Sequence, residues 1–407
     1  MMNSLLKNKT ATDIGGNLIK HTFSSMSSNS GAITIPWDIR NTVLTLYSNS
    51  SPRLDINEAQ QRFATPPFPT TKVVRLYSSL ADAEKDRESS SDKDTDTETL
   101  RVVVANDYRH QRQQHTYQFD VAQYFGAIQT HLFGQNVIYA PLVSSTQTLC
   151  LEYFAYTQQG LVMLVDQQTS AKGRGNNKWV CPLGSLLFSY KIRQSDGNKL
   201  PFLQYLVGIA MVEAIKSHPV AKDINVRLKW PNDIYGGNLK IGGILCQSNY
   251  LNNEFDVVAG VGLNISNDEP TTSLNKMIRD HLASSTSTTT ENSSDSKQEQ
   301  QPQIYITREQ VLSKFFTIFE EMYIQFNKQG FDPFVQRYLN VWMHSNQIVT
   351  IKENDKKVKI IGLEKNGFLK AVEVDPISLN EISPMTFELH PDGTSFDINE
   401  LVLKKKQ

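Results

Sequence analysis

Blocks of apolar residues with distinct periods run along the chain, and each period predicts an element. NVIYAPLV (136–143) and GLVMLVDQQ (160–168) are apolar runs that predict buried strands, with a helix ahead of them over FDVAQYFGAIQTHLFG (119–134). PFLQYLVGIAMVEAIK predicts a helix opening at Pro201, with Phe202, Tyr205, Leu206, Ile209, Val212 and Ile215 on one face. Thr307 and Gln310 form a capping box before a helix carrying Val311, Phe315, Ile318, Met322 and Phe326. Asp332 as N-cap and Pro333 at the first helical position predict a short helix after it. From Gln347 the pattern turns to alternation, through IVTIKEN, KVKIIGLEKNGFLKAVEV and FDINELVL, with Asn366-Gly367 as a hairpin turn. That tail predicts a small β-barrel. Near the other end, NTVLTLYS (41–48) and TKVVRLYSS (71–79) also alternate and predict short strands of a small N-terminal subdomain.

Two segments break the pattern. EKDRESSSDKDTDTET (84–99) is almost wholly charged or hydroxylic, and SSTSTTTENSSDSKQEQQP (284–302) has no apolar residue. Neither buries enough surface to offset its ordering entropy, so both are expected to be unfolded. The organisation that follows is α+β: a central domain over 115–345 interrupted by a disordered insertion at 284–302, and a β cap over 347–407. An N-terminal region over 1–110 has no role assigned.

Composition narrows the class. With 407 residues, 39% of them apolar, and a net charge of −1, general adhesion to nucleic acid or to an acidic membrane is not indicated. Cys150, Cys181 and Cys246 are too far apart for a metal-ligand pattern and form no disulfide framework, which fits a reducing compartment. There is no H-E-x-x-H and no run of about 18 apolar residues. A soluble, intracellular, cytoplasmic protein is expected. The first thirty residues are rich in Ser and Asn, with Lys7, Lys9 and Lys20 against Asp13. A mitochondrial transit peptide would usually add arginine, so a disordered leader is the expectation and mitochondrial import stays open.

Three stretches carry candidate chemistry. In RLKWPNDIYGGNLKIGGIL (227–245), a turn at Gly236-Gly237 would pair Tyr235 with Asn238 and set Asp233 opposite Lys240. Arg227, Lys229 and Asp233 would then share one face, as would Lys240 and Gly242 on the partner strand, with Leu228, Trp230, Leu239 and Ile241 turned to the core. A solvated face with a cross-strand ion pair would explain the charges. It would not explain Gly242-Gly243, because glycine weakens a strand unless something approaches closely. In QQTSAKGRGNNKW (167–179), glycines and Lys172, Arg174 and Lys178 suit an anion, although the Walker A and G-x-G-x-x-G spacings are absent. A basic surface loop is the plain alternative. SSTQTL (144–149) offers hydroxyls and an amide to a small polar ligand, or simply a helix N-cap, and GVGLNIS (260–266) brings Asn264 to a strand end. Together they describe two anion-binding elements and a neutral hydrogen-bonding floor. Such a pocket suits a carboxylate brought up to a phosphate, where cations must cancel the repulsion of two anions, with Asp233 available to hold Mg²⁺.

The combination of KGRG with a following tryptophan, KWPNDIY, KIGGIL and GVGLNIS resembles the biotin protein ligases, nearest to the eukaryotic holocarboxylase synthetases, over Val137 to Lys405. The resemblance implies a class II synthetase-like catalytic domain and an SH3-like barrel. It also implies that biotin and ATP form biotinyl-5′-AMP with release of pyrophosphate. A lysine of a biotin carboxyl-carrier domain would then take the biotinyl group and release AMP. Ser145, Thr146 and Gln147 match the Ser-Thr-Asn element that contacts biotin, and Gln168 the glutamine heading the loop. Lys172, Gly173 and Arg174 match the core of the loop over biotin and the adenylate phosphate, and Gly242 falls in the biotin site. Lys240 matches the lysine that contacts the biotin carboxylate and then the adenylate. Arg174 and Lys229 join Lys240 as catalytic cations, Asp233 becomes the metal holder, and Trp179, Asn232 and Asn264 fall on the nucleotide side.

The chain departs from the family in three ways. Lys172-Gly173-Arg174-Gly175-Asn176-Asn177 has fewer cations than the bacterial loop, which implies a looser hold on the adenylate. Gln147 stands for the usual Asn, and the 284–302 insertion falls near nucleotide-side loops. No helix-turn-helix pattern precedes the domain, so an enzyme is expected and not a DNA-binding repressor. Lipoate ligases and octanoyl transferases share the fold, and for a transferase Cys181 and Cys246 would be the candidate nucleophiles. A non-catalytic regulatory biotin-binding protein is the other alternative. The KGRG loop speaks against the first, and the joint presence of Arg174, Asp233 and Lys240 against the second.

Overall fold

The computed structural model describes residues 43–49, 72–89, 98–104, 118–154, 157–175, 177–286, 305–352, 354–389, 394–397 and 402–405. The leader and most of the 284–302 insertion lie outside them. Among the described residues, ten strands make one mixed sheet. They are β1 (Val43–Ser48), β2 (Lys72–Tyr77), β3 (Glu98–Val104), β4 (Asn136–Val143), β5 (Leu161–Gln168) and β6 (Ser185–Gln194). The remaining four are β7 (Val226–Lys229), β8 (Asp233–Gly236), β9 (Leu239–Leu251) and β10 (Glu254–Asn264). Their order is β2-β3-β1-β4-β5-β6-β10-β9-β8-β7. The two N-terminal strands read from the sequence therefore extend this sheet, with β1 antiparallel to β4 and parallel to β3.

Alternation along β4 and β5 explains why both read as unbroken apolar runs. Val137, Tyr139, Val162 and Leu164 enter one hydrophobic layer, while Ile138, Ala140, Leu161, Met163 and Val165 enter the other. A strand covered on both faces has no polar side to show. The first layer is closed by α-helices at Leu200–Lys216 and Arg308–Gln329, where Phe188 and Tyr190 of β6 meet Phe315, Phe316 and Phe319 edge to face. The Leu200–Lys216 helix is buried on more than its expected face, since Leu203, Val207, Ala210, Met211 and Ala214 are buried too. The capping box at Thr307 and Gln310 is present.

A second, mainly antiparallel sheet at the C-terminus has six strands among the described residues: Ile348–Ile351, Lys356–Leu363, Leu369–Val374, Glu381–Leu389, Thr394–Asp397 and Val402–Lys405. Val349, Val358, Ile360, Leu369 and Ala371 join the first core layer, so the small sheet shares the core of the large one. The whole is α+β, a central mixed sheet with helices and a small C-terminal β unit.

Several sequence expectations change. Helix over 119–134 stops at Ala127, because the buried Glu320 carboxylate takes the backbone N–H groups of His131, Leu132 and Phe133 at 2.7, 2.8 and 2.8 Å. Those donors then have no need of a helical carbonyl. The acidic 84–99 run is helical at its start, in a helix over Leu80–Ser89, and enters β3 at its end. Asp86 there bridges Arg75 and Arg101 at 2.8 and 2.9 Å, and Ala83 is fully buried. The other low-complexity segment begins inside a helix, Leu274–Thr286. Asp332 sits inside a 3-10 turn, Asp332–Phe334, with Phe331 at the N-cap, and an α-helix follows at Val335–Val341.

Candidate active site

The floor of the site forms where β4 ends. Ser145, extended at φ −160°, caps the helix Thr146–Glu152 and its Oγ accepts the Thr148 N–H. The N-cap explanation of this stretch is therefore correct locally, and the same cap turns Thr146 and Gln147 towards a cavity. Thr146 N–H donates to Gln168 Oε1 at 2.7 Å, and Thr146 Oγ1 lies 2.8 Å from Ser189 Oγ. Gln147 Nε2 donates to Val258 O at 3.0 Å, while its Oε1 accepts from Ser189 Oγ at 3.2 Å. A Cβ on Gly260 would stand 2.5 Å from that Oε1, so the β10 glycine is what admits the longer amide.

The basic loop folds back on itself. Lys172 and Lys178 form an antiparallel bridge, Gly173 N–H donates to Asn177 O at 2.8 Å, and Gly175 supplies a φ of +68°. Trp179 closes the loop, its N–H bonded to Ala171 O, and its indole lies on bare backbone: a Cβ on Gly262 would be 2.7 Å from Trp179 Nε1. Lys240 Nζ rests 5.4 Å from the centre of the same indole. This is cation–π range.

The 227–245 stretch is a hairpin, but not in the expected register. The turn is Gly237-Asn238, with Gly237 at φ +58°, so Gly236 pairs with Leu239 and Tyr235 with Lys240. A bulge then sets Ile234 against Gly242 and Asp233 against Gly243. Asp233 and Lys240 still meet, Oδ1 to Nζ at 2.7 Å, because the bulge brings Lys240 diagonally back to the carboxylate. Leu239, expected in the core, is 50% exposed at the hairpin tip. Asn232 is pinned both ways: its carbonyl accepts Ile244 N–H and its Nδ2 donates to Ile244 O, each at 2.8 Å.

These elements line one cavity. Of the residues named from the sequence, it collects Ser145, Thr146, Gln147, Gln168, Lys172, Gly173, Arg174, Trp179, Lys229, Asn232, Asp233 and Lys240. Gly242 and Asn264 are not among its lining. A Cβ on Gly242 would meet Gly262 O, Leu263 and the buried Ile234, and Asn264 spends its Nδ2 on Thr271 Oγ1 and Thr272 O. Sequence reasoning missed Ser189, and left Gly260 and Gly262 without a place in the site. The signals were there: a hydroxyl inside the apolar SLLFSYKI, and glycines two apart that share one strand face. Among the described residues, five cations line the cavity (Lys172, Arg174, Lys178, Lys229 and Lys240) and Asp233 is the one acid. No cysteine lines it, and burial pushes the Cys181 and Cys246 thiols up to about 12, so neither is a poised thiolate. Among the described residues no three His, Cys, Asp or Glu side chains cluster to hold a metal. One carboxylate fits a magnesium ion that arrives on phosphate oxygens, not a site made wholly by protein.

Comparison with known proteins finds relatives at the level of sequence. The sequence profile of the biotin/lipoate A/B protein ligase family matches residues 139–264. Biotin–protein ligase 2 of Arabidopsis thaliana is 35% identical over 71% of this chain and 82% of its own length. The human biotin–protein ligase is 32% identical over 71% of this chain and 38% of its own. A solved biotin protein ligase of Aquifex aeolicus, an R40G mutant in complex with biotin, aligns at a TM-score of 0.47 with 20% identity, over 66% of this chain and 98% of that one. The sequence similarity thus places the chain among ligases of the biotin and lipoate kind. Within that class the chain belongs to the biotin–protein ligases.

Proposed function

We propose that this enzyme activates biotin with ATP and transfers the biotinyl group to a lysine of biotin carboxyl-carrier domains. The observation that carries the reading is the charge layout of the cavity, five cations and one acid around a neutral floor. In the first half-reaction a biotin carboxylate oxygen bonds to the α-phosphorus of ATP and the bond to the β-phosphate oxygen breaks. Biotinyl-5′-AMP and pyrophosphate result. In the second, an uncharged acceptor lysine attacks the acyl carbon, an amide forms, and AMP leaves. Both reactants of the first step are anions, so cations held in place beforehand remove most of the repulsion.

Ser145, Thr146, Gln147 and Gln168 would read the polar ring of biotin, with Ser189 fixing Thr146 and Gln147. Lys172, Gly173 and Arg174 would close over biotin and the adenylate phosphate. Lys240 would leave Asp233 for the biotin carboxylate, and Lys229 would face the phosphates beside Asn232 and Trp179. Asp233, released from that pair, would hold magnesium, which when bound neutralises phosphate charge. Residues 115–345 would be the catalytic domain and 347–407 its cap. No helix among the described residues is long and apolar enough to cross a membrane.

Exchange of labelled pyrophosphate into ATP tests the first step. Exchange that depends on biotin, with none in its absence, supports the proposal. Exchange that ignores biotin overturns it.

A further inference from the structure

We propose that His344, in the segment joining the last α-helix to the C-terminal sheet, is a positioning residue for Lys229–Asp233 and so acts on the ATP side of the reaction. The inference rests on the ligase reading and extends it to a residue outside the cavity.

β7 ends the large sheet, so its outer edge should show unpaired backbone groups. Residues 342–344 fill that edge. Trp342 bridges Leu228 in parallel, and Met343 N–H donates to Leu228 O at 2.9 Å. The next donor on the edge is Trp230 N–H, and there a side chain replaces the ladder: His344 Nε2 accepts it at 2.9 Å. Pro231 follows and has no N–H to give. Trp230 N–H is therefore the last backbone donor before the chain turns into the cavity with Asn232 and Asp233. Asn232 is tied to Ile244 at the far end of the segment between Lys229 and Asp233, and His344 holds its near end.

The imidazole is prepared for this role. Trp230 N–H can only donate, so Nε2 must accept, and the proton sits on Nδ1 facing Gln347 Oε1 at 2.8 Å. His344 is fully buried, and burial holds it neutral, its pKa lowered to about 4. A second tie runs alongside, from Trp230 Nε1 to Tyr205 OH at 2.9 Å and on to Gly367 O at 2.7 Å in the C-terminal sheet. The small sheet thus reaches the nucleotide-side segment through one tryptophan. Among the described residues, the side chains of the biotin floor (Thr146, Gln147, Gln168 and Ser189) make no hydrogen bond to the C-terminal sheet; the partners of Thr146, Gln147 and Ser189 lie in the large sheet and the helix that begins at Thr146.

The test separates the two sides of the site in the full-length enzyme. His344→Leu removes the acceptor, and His344→Gln offers Oε1 near the place of Nε2. Biotin-dependent pyrophosphate exchange gives kcat/KM for ATP, calorimetry without ATP gives the biotin Kd, and circular dichroism checks folding. His344→Leu should lose at least about tenfold in kcat/KM for ATP while the biotin Kd stays within about twofold, and His344→Gln should regain most of the loss. A folded His344→Leu with ATP kinetics within about threefold of wild type overturns the proposal. So does an equal loss in biotin affinity, or a His344→Gln no better than Leu. Should His344→Leu not fold, Gln347→Met decides: a drop of about threefold or more on the ATP side alone supports the role, and unchanged ATP kinetics overturn it. Absence of exchange in the wild type overturns the ligase reading and this role with it, whereas parity between variant and wild type overturns the role alone.

Discussion

Gly260→Ala isolates the neutral floor of the site. The added methyl would stand 2.5 Å from Gln147 Oε1, 3.1 Å from Ser189 Oγ and 3.4 Å from Gln147 Cδ. The first contact is impossible, so something moves, and the far end of the Gln147 side chain is what can. Moving it breaks the bonds that orient it, Nε2 to Val258 O at 3.0 Å and Ser189 Oγ to Oε1 at 3.2 Å. At roughly 1 kcal/mol for each bond, about 2 kcal/mol of preorganisation is lost, or roughly thirtyfold in affinity for a ligand read by that amide. Calorimetry with biotin measures it. The control is Gly126→Ala, where a Cβ meets nothing within 4 Å, and biotin affinity there should not change. Gly260→Ala that stays folded and binds biotin within twofold of wild type would refute the assignment of Gln147 to the biotin floor.

Three other outcomes are expected. Lys240→Ala should keep the fold, since its side chain is partly exposed and its pair with Asp233 lies at the cavity surface, yet abolish transfer of labelled biotin; full transfer would remove Lys240 from the centre of the mechanism. Arg308→Leu leaves Asp166, fully buried and paired with Arg308 at 2.8 Å, without its counter-ion, and should cost about 3–5 kcal/mol in urea unfolding; a loss below about 1 kcal/mol would contradict it. The His344 pKa is depressed by burial and by Lys229, partly offset by the bond to Gln347. A folded value below the unfolded one means that its share of stability is present above about pH 6.5 and is lost as pH falls towards 4. Between pH 7.5 and 5 the loss should be roughly 2 kcal/mol, absent in His344→Gln, and urea titrations of both proteins at the two pH values check it.

Periodicity read well wherever one rule set the structure. β4 matches its apolar run, the capping box at Thr307 sits where its spacing put it, and Asn366-Gly367 lies in the turn before Leu369–Val374. Errors came where distant groups intervened. The helix from Val121 ends early because a carboxylate 189 positions from His131 takes its backbone donors. The acidic run after Lys85 folds in part because Arg75 and Arg101 wait for Asp86. The register of the 227–245 hairpin slipped at a bulge, which no local pattern announces, and that slip put Gly242 on the wrong side. Charged residues of the site were legible because cations beside glycines have few structural uses. Ser189, Gly260 and Gly262 were harder, since small residues in a strand declare their purpose only once the side chains packed on them, Gln147 and Trp179, are in place.

The central claim is tested most directly by ATP-dependent transfer of labelled biotin to a purified biotin carrier domain, with lipoate and octanoate run in parallel. Transfer of biotin alone is the predicted result. Acceptance of lipoate or octanoate with no transfer of biotin would contradict the substrate assignment, and inactivity towards all three would contradict the enzyme reading itself.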